Sequence, residues 1–142
     1  AWARLKPTTG ELPTGHIVDQ ITDNTRLVAV TGASNVLGTR PDLPVIAEAA
    51  HAVNALFFVD GVHLTAHAPI DVEQIGADFY ACSAYKFLGP HLGIVIASSA
   101  LWESLHPDKL APSTEHVPER FELGTLPYEL LAGLIAAVDV LD

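Results

Sequence analysis

Two short runs of unbroken apolar residues most constrain how this chain can fold. Leu27-Val-Ala-Val30 and Ala55-Leu-Phe-Phe-Val59 each have strand length, and neither alternates with polar residues. A strand exposed on one face alternates, whereas a strand covered on both faces does not, so the two runs predict buried parallel strands. Between them, Asp42 precedes Pro44 at the head of a helical pattern running to about Asn54. Val45, Ile46, Ala49, Ala50 and Val53 form its apolar face. Asp suits an N-cap, proline tolerates the first turn because its missing N–H has no partner there, and Asn can end the helix in the left-handed region.

The remaining elements extend this plan. Thr14 to Thr22 reads as a short helix with Ile17, Val18 and Ile21 on one side, and Asp71–Ile75 reads as another. Two more strands are expected at Asp78–Ser83 and Gly93–Ala97. The Gly89-Pro90 turn between them points to an antiparallel pair. Residues 98–120 form a polar excursion, and Phe121–Pro127 is a loop. Tyr128–Asp142 is a helix by the recurrence of Leu130, Leu131, Leu134, Ile135, Val138 and Leu141 at three and four. Strand, helix, strand, crossover, strand, strand implies an α/β fold of three layers, α/β/α, around a mostly parallel sheet.

Composition narrows the function. With 17 acidic against 7 basic residues the net charge is −10, and the basic residues are scattered singly. This argues against nucleic acid and against an anionic membrane as partners, since both bind basic patches. The only cysteine, Cys82, can form no internal disulfide and reads as buried filler, which fits a reducing, cytoplasmic setting. No run is long enough to span a bilayer, and residues 1–20 show no signal-peptide pattern. The absence of methionine, together with a final residue that falls inside a helical pattern, leads us to expect the central piece of a longer polypeptide.

In open α/β sheets, ligands bind outside the carboxyl ends of the strands. The first strand delivers Ser34 and Asn35 there. The second delivers Asp60, with His63 three residues on. The third delivers Ser83, Tyr85 and Lys86. Lys86 stands in an otherwise apolar stretch, where a lysine can serve as an amine nucleophile. An amine, a carboxylate, an amide, an imidazole and hydroxyls are what pyridoxal phosphate requires. The aldehyde needs an amine, the pyridine nitrogen a carboxylate, the ring oxygen a donor and the phosphate several donors. His63 and His67, four apart near Asp60, could instead suggest a metal, but Pro69 and the lack of a further ligand pattern argue for none. A nucleotide site would need a glycine-rich fingerprint that is missing.

Three ordered motifs, Ser34-Asn-Val-Leu-Gly-Thr39, Val59-Asp-Gly-Val-His63 and Asp78-Phe-Tyr-Ala-Cys-Ser-Ala-Tyr-Lys-Phe-Leu-Gly-Pro90, resemble the class V aminotransferase family. The similarity is strongest to its cysteine desulfurase and selenocysteine lyase branch, which Arg120-Phe-Glu-Leu-Gly-Thr125 also resembles. The resemblance runs from about residue 11 to the end. It implies the large domain of a fold type I enzyme dependent on pyridoxal 5'-phosphate, acting on an amino acid as its small-molecule substrate and working as a homodimer. It implies Lys86 as the Schiff-base lysine, Asp60 as partner of the pyridine nitrogen, Asn35 and His63 near the ring oxygen, and Ser83 on the phosphate. Thr125 is implied to reach the phosphate of a neighbouring subunit. His63 stands where the family often has Gln, and Tyr85 where many desulfurases have His; the Tyr85 hydroxyl can still donate to phosphate.

The implied reaction is sulfur removal from L-cysteine, with Lys86 as acid and base once freed. Transamination, epimerisation and kynureninase-like cleavage use the same cofactor, and a non-catalytic scaffold is the alternative of another class. The family's N-terminal part and its C-terminal small domain, which carries the substrate-carboxylate Arg, are not in these 142 residues, nor is its later sulfur-accepting Cys segment. The whole chain is therefore expected to be about two to three times longer, and residues 1–142 alone to lack turnover.

Overall fold

A computed structural model describes residues 1–122 and 124–142. Leu123, within the last of the motifs above, lies outside them. The elements are α1 (Thr14–Val18), β1 (Leu27–Thr31), α2 (Leu43–Ala52), β2 (Leu56–Asp60), α3 (Val72–Ile75), β3 (Phe79–Ser83), β4 (Gly93–Ile96), α4 (Ser99–Ser104) and α5 (Tyr128–Leu141). Short 3-10 turns lie at Ala84–Phe87 and Glu119–Phe121. The sheet order is β1-β2-β3-β4; the first three strands are parallel and β4 is antiparallel to β3. This is the mostly parallel α/β arrangement expected from the apolar runs.

The two faces of the sheet differ. Val28, Val30, Phe57, Val59, Tyr80 and Cys82 point inward and are buried with Ile17 of α1 and Leu43, Ile46, Ala47 and Ala50 of α2. Full burial of a side chain such as Phe57, Ile46 or Val59 contributes about 1.5–3 kcal/mol. Helix α2 starts as its sequence implies. The Asp42 carboxylate accepts from the Val45 N–H at 3.4 Å, Pro44 sits in the first turn, and Asn54, at φ 59°, carries the chain away in the left-handed region. Asp78 closes the opposite end of the sheet. Its carboxylate accepts from the Phe57 N–H at 2.7 Å and lies 2.9 Å from His51 Nε2.

On the other face, Phe58 and Phe79 pack at 6.1 Å between ring centroids, and Trp102 of α4 meets Phe79 edge-on at 5.6 Å. Phe121 lies against Trp102 at 4.6 Å. The second covering layer therefore begins in the excursion after β4. Helix α4 lies inside the segment expected as a polar excursion, to which the sequence pattern assigns no helix. Its N-cap is Ser98, which accepts from the Leu101 N–H at 3.2 Å. Helix α1 ends at Val18, four residues short of the expected limit, and α5 buries only Ala137 fully. Ile135, Val138 and Leu141 of its expected apolar face are exposed.

Candidate active site at the strand ends

Strand parity puts the chemistry on one face. Because the inward residues are 28 and 30, 57 and 59, and 80 and 82, the residues between them face outward. Register aligns Thr31, Asp60 and Ala81 in one row across the three parallel strands. Asp60 is thus the outward residue at the end of the middle strand, with a methyl group on one side and a threonine on the other. One row below lie Ala29, Phe58 and Phe79, an apolar floor. Ser83 ends β3 on the same face. Its partner across the ladder is Gly93, where an added Cβ would meet nothing within 4 Å. The space beside the Ser83 hydroxyl is therefore open.

Backbone bonds carry the register past the strands. The Gly32 N–H donates to the Asp60 carbonyl, and the Gly61 N–H donates to the Ala81 carbonyl, both at 2.8 Å. The loops holding Asn35, His63 and Lys86 therefore leave adjacent strands at one level. The loop after β1 is shaped by Ser34, whose Oγ accepts from the Val36 and Leu37 N–H groups at 3.3 and 3.2 Å. This is a structural job for Ser34, and it leaves Asn35 exposed beside it. The turn after β2 is fastened from beneath. The Thr65 hydroxyl donates to the Gly61 carbonyl at 2.8 Å and lies 2.9 Å from the Tyr80 phenol. Tyr80 is 1% exposed. Burial, ahead of the nearby Cys82 and Asp60, pushes its phenol up from the usual value against the opposing pull of the Thr65 bond. Neither Thr65 nor Tyr80 carries a sequence signal for this task.

Asp60 Oδ1 accepts from the Val62 N–H at 3.1 Å. Among the described residues no Lys, Arg or His pairs with this carboxylate. Lys86 sits on the 3-10 turn directly after β3, half-buried, with its Nζ 4.7 Å from the centre of the Tyr85 ring. Thr125 is exposed and follows the Glu119–Phe121 turn, with no hydrogen bond to the strand-end cluster among the described residues. Cys82 points into the core, where burial pushes its thiol up. No group of three or more His, Cys, Asp or Glu converges as a metal site would require among the described residues.

A hollow of about 660 Å³ lies elsewhere, along the outer edge of β1 between Trp2 and Thr31. It holds none of the amine, imidazole and hydroxyl groups gathered at the strand ends. The groups able to do chemistry stand at the strand ends and not in this hollow. The residues at the strand ends do fit pyridoxal phosphate. An outward carboxylate without a cation partner lies over an apolar floor, a lysine stands on the neighbouring strand end, and a serine hydroxyl faces open space.

Fold and cluster together define an α/β protein with a candidate ligand site at the carboxyl ends of its parallel strands. The chain belongs to the class-V aminotransferase family, whose model matches residues 3–142. It is 35% identical over 145 residues to a cysteine desulfurase of Haloferax volcanii, covering 94% of this chain and 34% of that one. It is 39% identical over 123 residues to the aminotransferase-like protein FGM3 of Gibberella zeae, covering 81% and 29%. The structure is similar to the crystal structure of the cysteine desulfurase CsdA of Escherichia coli, with a TM-score of 0.85 and 30% identity, over 98% of this chain and 38% of that one. The chain thus spans about a third of the length of the proteins it matches.

Proposed function

We propose that this chain carries the cofactor-binding centre of a pyridoxal phosphate enzyme that removes sulfur from L-cysteine. The observation that carries the reading is the placement of Asp60 and Lys86 at the carboxyl ends of two adjacent parallel strands, with the Asp60 carboxylate unpaired by any cation among the described residues. When bound, the cofactor would supply an electron sink for carbanions at the substrate's α-carbon. Asp60 would hold a proton on the pyridine nitrogen. Asn35 and His63, on loops leaving the two neighbouring strands, would donate to the ring oxygen. Ser83 and the backbone N–H groups nearby would bind phosphate. Lys86 would bind the cofactor's aldehyde carbon and, once released by substrate, move a proton at the α-carbon. Thr125, exposed on its own subunit, would serve the phosphate site of a second copy in a homodimer.

The test is an absorption spectrum on adding pyridoxal phosphate to the whole protein, where a band near the visible edge should form and be absent from Lys86→Ala. No band in the wild type would sink the cofactor reading. Assaying sulfide from cysteine against alanine release and transamination then decides the reaction. One observation favours keeping transamination as the second outcome. Tyr85 occupies the place before the lysine where the resemblance expects histidine.

A further inference from the structure

Tyr85 does more here than precede the lysine. Its ring stacks on the His91 imidazole with 4.7 Å between centroids and 9° between planes. The same ring lies 4.7 Å from Lys86 Nζ. The loop joining β3 to β4 holds this group together. The Ala84 N–H donates to the Leu92 carbonyl at 3.0 Å, and the Gly89 N–H donates to the Ala84 carbonyl at 2.8 Å. Leu88, at φ 70°, turns the chain back. A Cβ at Gly89 would lie 2.8 Å from the Ala84 Cβ, so the close crossing depends on glycine. That crossing brings residues 85 and 91 face to face.

We propose that the Tyr85 ring is the resting place of the Lys86 ammonium whenever that amine is not bonded to carbon, and that His91 holds the ring in position. An ammonium near an aromatic ring is attracted by the ring's quadrupole, and a parallel imidazole restricts the ring's rotation. The catalytic meaning rests on the reading of Lys86 given above. When the amine condenses with an aldehyde it gives up a proton and the pair expels water. The ammonium that the ring attracts is then gone. An interaction made only with the free ammonium shifts the equilibrium toward it. Tyr85 thus keeps the amine at hand when substrate displaces it, at some cost to covalent capture. Tyr85 and His91 are positioning residues; the ring, not the hydroxyl, is the working part.

Lysine-selective 13C labelling, with the Lys86 signal assigned by its loss in Lys86→Arg, reads the Cε–Hε group of this residue in the whole protein. In the cofactor-free protein the Lys86 signal should lie upfield through the ring current of Tyr85. The shift should persist in Tyr85→Phe, vanish in Tyr85→Ala, and shrink in His91→Ala. On adding pyridoxal phosphate the upfield shift should disappear. Tyr85→Ala should raise the equilibrium constant for cofactor capture, read from the absorption band, by roughly two- to fivefold relative to Tyr85→Phe, which keeps the ring and lacks the same hydroxyl. A Lys86 signal that is not upfield, or that ignores Tyr85→Ala, overturns the proposal. So does equal weakening of capture in Tyr85→Phe and Tyr85→Ala, which would assign the hydroxyl to the phosphate. A wild type with the upfield signal but no absorption band leaves the resting place standing and removes the cofactor reading instead.

Discussion

Gly61 lies directly against the phenol of Tyr80, so that a Cβ added to the glycine would overlap the tyrosine ring. The contact matters because Gly61 follows Asp60 and its carbonyl accepts from Thr65, which also touches the Tyr80 hydroxyl. The close approach lets a buried aromatic ring support the turn that aims the site carboxylate. Gly61→Ala should therefore destabilise by about 1–3 kcal/mol through overpacking. Shortening the partner should relieve it, so Gly61→Ala combined with Tyr80→Leu should cost less than the sum of the single changes. Urea unfolding of the four proteins measures this, and strict additivity would show that the overlap is absorbed elsewhere.

Asp60 is exposed, and its one hydrogen bond, from the Val62 N–H, can be kept by an amide oxygen. Asp60→Asn should leave the urea midpoint within about 0.5 kcal/mol of wild type. Its effect should fall on chemistry. Under the proposed function, in which this carboxylate holds the pyridine proton, turnover of the whole protein should drop by about 10²-fold or more. A carboxylate that only caps its turn would leave turnover as well as stability little changed in Asp60→Asn, because the amide oxygen keeps the bond from Val62.

The parallel strands and α2 could be read from local patterns because burial on both faces removes alternation and because Asp42 and Asn54 mark the helix ends. The strand-end residues Asn35, Asp60, His63, Ser83, Tyr85 and Lys86 follow from the same reading, since each comes just after or at the end of an apolar run. What stayed hidden depends on closure in three dimensions. The Thr65–Tyr80 pair spans 15 residues, and His91 gains a partner only when the loop crosses at Gly89. Helix α4 was masked because its one large aromatic, Trp102, packs across the sheet and not along a helical stripe. Arg120, in a motif noticed only for its resemblance, is a buried hub.

Arg120 is 6% exposed and fastens the excursion after β4. Its Nη2 donates to the carbonyls of Trp102 and Glu103 at 2.6 and 2.8 Å, and its Nη1 donates to that of Glu115 at 3.4 Å. Its Nε is buried without a partner among the described residues. The Glu103 carboxylate, largely exposed, is 3.7 Å from the guanidinium and adds little in water. Arg120→Met would keep the volume and leave the carbonyls without donors, so about 1–3 kcal/mol should be lost. Because the Trp102 and Glu103 carbonyls belong to the helix that places Trp102 on Phe79, tryptophan fluorescence should shift red before the main unfolding transition. Arg120→Lys should recover only part, since an ammonium cannot reproduce the planar fork.

Stability should fall on the alkaline side for a reason specific to the inner face of β3. Burial raises both the Cys82 thiol, from an ordinary value of 9.0, and the Tyr80 phenol, from 10.0. An acid whose pKa is raised by folding keeps its proton in the native state after the unfolded chain has lost it. The native state then binds more protons, and stability decreases as pH rises. The contribution is complete below 9.0 and is lost as pH climbs through 9.0, for Cys82, and then through 10.0, for Tyr80, toward the raised native values. Cys82→Ala will lower stability at neutral pH by leaving a small cavity, but the decline above pH 9.0 should become shallower. Tyr80→Phe should flatten only the later part of the curve. Urea midpoints from pH 7 to 11 separate the two, and wild-type and variant curves that run parallel throughout would show that neither group couples ionisation to folding.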